Sequence, residues 1–104
     1  MTRRALLLGA VVAAQAAESE ERVARRRFQA AVAQAIAYRK VLRAMESRLE
    51  EHGFSLHPET EARRAAIEAS LDTAEELLEK KQWAEALEEV RRAEGHLARL
   101  RQSL

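Results

Sequence analysis

At 104 residues the chain has room for one small domain, and with only 4% aromatic residues its core has to be built from interlocked Leu, Ala and Val. The strong helix formers Ala, Leu, Glu and Arg dominate, which predicts an all-α fold, and the lack of cysteine excludes disulfides, thiolate metal sites and Cys nucleophiles. A net charge of +1 hides segments of opposite sign: Glu21 to Arg43 holds seven basic residues and one acidic, Glu59 to Glu89 ten acidic and four basic, a pattern that fits helix beside helix and weighs against a nucleic-acid partner.

The chain begins with a tripartite pattern. Thr2-Arg3-Arg4 is a short basic region, Ala5 to Ala14 is uncharged and apolar, and Ala14-Gln15-Ala16 places small residues where a signal peptidase inspects the chain. Residues 1–16 therefore read as a cleaved export signal and 17–104 as the mature domain, in the periplasm or secreted. The apolar run is short of the about 20 residues that span a bilayer, so a membrane association arises only if the segment stays uncleaved. Leu7, Ala10, Ala14 and Ala17 also continue a heptad phase that runs on downstream, interrupted by Glu21, which leaves a cytoplasmic helix extension as the other reading.

A first helix is expected from about Ser19 to Glu51, with a seam that steps by four and three through Ala24, Phe28, Ala31, Ala35, Tyr38, Leu42, Met45 and Leu49. Gly53 ends it. The loop from His52 to His57 carries two apolar residues, Phe54 and Leu56, that either plug the end of a bundle or stand out as a partner hook. Pro58, Glu59 and Glu61 suit the opening turn of a second helix, expected over 58–80, with Ile67, Leu71, Ala74 and Leu78 on its apolar face. A tight connection at Lys80, Lys81 and Gln82 leads to a third helix, over 82–103, with the stripe Trp83, Ala86, Val90, Ala93, Leu97, Leu100 and Leu104. Gly95 falls on its far side. The architecture expected is an antiparallel up-down-up three-helix bundle with heptad-like, Ala-rich seams.

In the last third, Ala74, Leu77, Trp83, Ala86, Val90 and Ala93 resemble one tetratricopeptide-type helical hairpin, over roughly residues 70–100. Lys81 departs from the family pattern, which usually has a turn former such as Gly there, and Ala98 stands where Pro is common. The resemblance implies a helix-hairpin interaction fold without catalytic chemistry. It carries over no ligand-contacting residue, and one repeat makes no groove.

Candidate chemistry is sparse. His52 and His57 flank the loop with Glu50, Glu51 and Glu59 nearby in sequence, a set that zinc or copper would accept, although each histidine also suits a helix end. Arg25-Arg26-Arg27 and Arg91-Arg92 are phosphate-clamp residue types, but consecutive helical residues point 100° apart, so the run wraps its helix and flank pairing with the acidic second helix is expected instead. Glu21 and Arg64 are the charged exceptions on the stripes and could form one ion pair. An enzyme would need charged residues ringing a pocket on those stripes, so no catalytic residue and no cofactor is assigned. The reading is an exported adaptor, assembly or accessory protein that binds a protein partner or itself, through surface around Phe28, Tyr38, Trp83, Phe54 and Leu56. The alternatives are a histidine-dependent metal-binding protein of the same compartment, or a cytoplasmic nucleic-acid-binding or coiled-coil assembly protein.

Overall fold

The computed structural model describes residues 3–104, with side chains at position 16 and at 18–104. Three helices follow one another: α1 (Arg3–Glu51), α2 (Pro58–Glu79) and α3 (Trp83–Ser103). The assignment is all-α, as composition and periodicity require, and the second and third helices lie within a residue of their expected bounds. The first helix differs: it starts at Arg3 where Ser19 was expected. No proline lies between, so the acidic cluster Glu18, Glu20 and Glu21 falls inside the helix and opens nothing. The export-signal reading of residues 1–16 falls almost wholly outside the described side chains.

Cross-helix ion pairs give the directions. Arg39 reaches Glu68 at 3.2 Å and Glu46 meets Arg64 at 3.7 Å, so α2 runs down as α1 runs up. Arg27 pairs with Glu94, and Ala24 shares a cluster with Ala86, so α3 runs parallel to α1. The bundle is up-down-up. Its α2–α3 hairpin is the most intimate pair, and α1 leans on α3 more than on α2.

Two connected clusters make the core. The larger joins Ala31 and Leu42 of α1, Ile67, Leu71 and Ala74 of α2, and Val90, Ala93, Leu97 and Leu100 of α3. The smaller joins Ala24, Leu78 and Ala86. Phe28 packs on both, half-buried, and so links them. Small residues at Ala24, Ala31, Ala74, Ala86 and Ala93 let the backbones approach, while Leu and Val fill the remaining gaps. Along the expected seam of α1, Ala24, Ala31 and Leu42 are buried, Phe28, Ala35, Tyr38 and Leu49 are half-buried, and Met45 is exposed, as is Leu104 at the end of the α3 stripe.

Each connection has its own backbone chemistry. At the end of α1 the Phe54 N–H donates to the Leu49 carbonyl at 2.7 Å and the Gly53 N–H to that of Glu50 at 3.0 Å, a Schellman closure with Gly53 at φ 78°. The end of α2 closes the same way: Gln82 donates to Leu77 at 2.9 Å and Lys81 to Leu78 at 3.0 Å. Here the left-handed position holds Lys81, at φ 59°, where a side chain is tolerated at a cost that glycine would avoid. His57 caps α2, its Nδ1 accepting from the Glu59 N–H at 3.2 Å, with Pro58 in the first turn.

Candidate functional site

The five residues named as a contact surface separate into three groups. Leu56 is 5% exposed and belongs to the interior, so it is withdrawn as a contact residue: the turn that closes α1 sends it back under the helix ends. Phe28, Tyr38 and Trp83 are half-buried and packed against the core. Phe54 alone stands out, 66% exposed at the tip of the α1–α2 turn. The loop thus plugs with one apolar residue and presents the other.

An opening with an apolar floor lies elsewhere, between α1 and α2. A groove of about 330 Å³ is lined by Phe28, Val32, Ala35 and Ile36 on α1 and by Leu71 at its floor, with Glu68, Asp72 and Glu75 along the α2 lip. It continues toward the α2 C-terminus past Arg25, Gln29, Leu78 and Glu79. Ile36 is 47% exposed. Sequence reasoning passed over this face because it followed the four-three seam alone. Phe28, Val32 and Ile36 are spaced by four, a second ridge that turns away from the seam toward the α2 side.

Polar contacts cross between α1 and α2 beside the groove. Arg39 spans the groove to Glu68, and Arg64 of α2 reaches Glu46 of α1 further along the same pair of helices. These partly exposed pairs set register and add little stability, about 0–1 kcal/mol each. Glu21 pairs with Arg25 at 3.0 Å on its own helix, so the expected Glu21–Arg64 pair does not form. The arginine run is also used differently from expectation: Arg27 pairs with Glu94 on α3 and Arg25 with Glu21, neither with α2. Arg25 also lies over the Trp83 ring, 5.3 Å from its centroid, a cation–π contact that ties α1 to the first residue of α3.

Compared with known proteins, the chain matches no family model, no curated protein and no solved structure. What it does must be argued from its own surface.

His52 and His57 both lie exposed, and the Nδ1 of His57 is engaged in the α2 cap. Among the described residues no three His, Asp or Glu side chains converge as a metal site would require, and no helix is long and apolar enough to cross a membrane. His96 borders a shallow, mixed-charge depression with Glu59, Arg63 and Arg99. Trp83 borders a further apolar recess with Val23, Ala84 and Leu87, on the opposite side of α1 from the large groove.

Proposed function

We propose that this chain is an exported helical accessory protein, periplasmic or secreted, that acts by binding a protein and catalyses nothing. The observation that carries the reading is the surplus of apolar surface on a small body: a long groove at Phe28, Val32 and Ile36, and a bare Phe54 at one end. Exposed apolar patches rimmed by charge are how helical modules take hold of partners. The tetratricopeptide-type spacing of the α2–α3 hairpin supports the same class, with Ala74, Ala86, Val90 and Ala93 wholly buried at its contact. The charged exceptions on the stripes, Glu21 and Arg64, are each spent on a surface ion pair, which leaves the stripes apolar.

Export rests on the basic, apolar and small-residue succession of residues 1–16. The test is the intact mass of the chain expressed with its own N-terminus in a bacterial host and recovered by fraction. A mass corresponding to a start at Ala17 in the periplasmic fraction supports export. An uncut chain in the cytosol overturns it and returns Leu7, Ala10, Ala14 and Ala17 to the helical seam. Partner binding is read by placing a photocrosslinking residue at Phe54 and, separately, at the exposed and unremarkable Glu88: a specific adduct at the first position only is expected, and equal labelling at both removes the hook.

A further inference from the structure

The groove between α1 and α2 has one neutral wall and one acidic wall. On α1, the eleven residues from Phe28 to Tyr38 include no charge in a chain that is 34% charged, so this wall offers the apolar ridge of Phe28, Val32 and Ile36 with Gln29 beside it. On α2, Asp72, Glu75 and Glu79 stand exposed at steps of three and four along the opposite edge. The antiparallel register marked by Arg39 and Glu68 sets Asp72 level with Ala35, Glu75 with Val32 and Glu79 with Phe28, so the carboxylates face the neutral stretch of α1 and not its basic residues.

These three carboxylates are poorly provided for within the molecule. Among the described residues none of them is in an ion pair. α2 carries no basic residue between Arg64 and Lys80, and none in its last turn. Glu75 and Glu79 are like charges at i and i+4, and both lie toward the C-terminal end of the helix, where the dipole already concentrates negative charge. A cation laid along this edge relieves both conflicts. The arginines at the two ends of the groove are occupied elsewhere: Arg39 crosses to Glu68, and Arg25 is held by Glu21 and the Trp83 ring.

We propose that this groove takes one amphipathic helix of a different protein, basic along one flank. The apolar face of that helix lies on Phe28, Val32, Ile36 and Leu71, and Lys or Arg residues at three-four spacing along its flank meet Asp72, Glu75 and Glu79. An acidic helix is repelled by the α2 edge, and an uncharged one covers the three carboxylates without pairing them. A basic segment with no apolar face leaves Ile36, 47% exposed, as bare as before. Between Arg25 and Arg39 the groove runs about 21 Å at 1.5 Å per residue, which fits about 14 residues of the partner helix. Part of the affinity is carried by exposed charge and is therefore weakened by salt.

The proposal rests on the reading of this molecule as an interaction module, but it fails separately. The probe is a fluorescent peptide of about 18 residues, long enough to be helical, with Leu along one face and Lys on its flanks, compared by anisotropy with a matched peptide that has Glu for every Lys. The whole chain is expected to bind the Lys peptide saturably, less tightly as salt rises, and to ignore the Glu peptide. Ile36→Ser leaves the charge alone and is expected to weaken binding by about fivefold to tenfold. Asp72→Lys with Glu75→Lys is expected to reverse the preference toward the Glu peptide, whereas Glu85→Lys with Glu88→Lys, the same change of net charge on α3, is expected to leave it as it was. All these positions are exposed, so the helical circular dichroism should be unchanged in every variant. No binding of the Lys peptide, equal binding of the two peptides, indifference to Ile36→Ser, or a preference that does not follow the α2 reversal overturns the proposal. So does light scattering that shows the chain alone as a dimer dissolved by Ile36→Ser, because a second copy then fills the groove. A specific crosslink at Phe54 stands in any of these cases, since that residue lies at the far end of α1.

Discussion

Ala24 on α1 and Ala86 on α3 are both wholly excluded from solvent in one cluster with Leu78, so the two parallel helices meet there through methyl groups. No larger side chain fits between them unless the helices part. Ala24→Leu and Ala86→Leu are each expected to lower unfolding free energy by about 1–3 kcal/mol in urea titrations. A variant as stable as the parent would mean that this end of the bundle opens without cost.

Leu56 and Phe54 sit two residues apart in one turn and have opposite fates. Leu56→Ala removes an interior side chain and is expected to cost about 2–4 kcal/mol. Phe54→Ser is expected to stay within about 0.5 kcal/mol of the parent, because nothing is uncovered by it. Thermal melts of the two variants side by side check both, and equal losses would place Phe54 in the core.

Glycine chemistry divides between two positions on the hairpin. Lys81 holds φ 59° in the Schellman turn, so Lys81→Gly relieves a left-handed side chain and is expected to stabilise by about 0.5–1 kcal/mol. Gly95 lies mid-helix with nothing within 4 Å of where a Cβ would stand. Gly95→Ala is expected to stabilise by up to about 1 kcal/mol through helix propensity. Together the two should come close to additive in denaturant midpoint, and a loss of stability from Gly95→Ala would reveal a close approach on that face.

His57 caps α2 through a ring nitrogen, an acceptor less suited to the position than a carboxylate. His57→Asp keeps the acceptor and adds a negative charge at the positive end of the helix, and should gain about 0.5–1 kcal/mol in chemical denaturation at neutral pH. His57→Ala should lose a comparable amount.

How much was legible beforehand varies along the chain. The seam of α1, the turn residues Gly53 and Pro58, and the stripe of α3 are written in local spacing, and each faces the bundle as its period predicts except at Met45 and Leu104, which are exposed. The start of α1 was not, because acidic residues favour a first turn without being able to create one in a run of unbroken helix formers. The groove was harder still. Val32 and Ile36 carry no sign in the sequence of how far α1 stands from α2.

By itself the sequence determined that this protein is all helix, that three amphipathic segments close on one another, and where their turns fall, since period, capping residues and glycine act over a few residues. Only the tertiary structure decided that Leu56 goes in and Phe54 stays out, that Arg27 serves α3 while Arg39 bridges to α2, and that α1 leans toward α3 and leaves a groove. Those outcomes depend on how closely two helix backbones approach, which alanines at Ala24 and Ala86 permit between α1 and α3 and which no local pattern of residues states for α1 and α2.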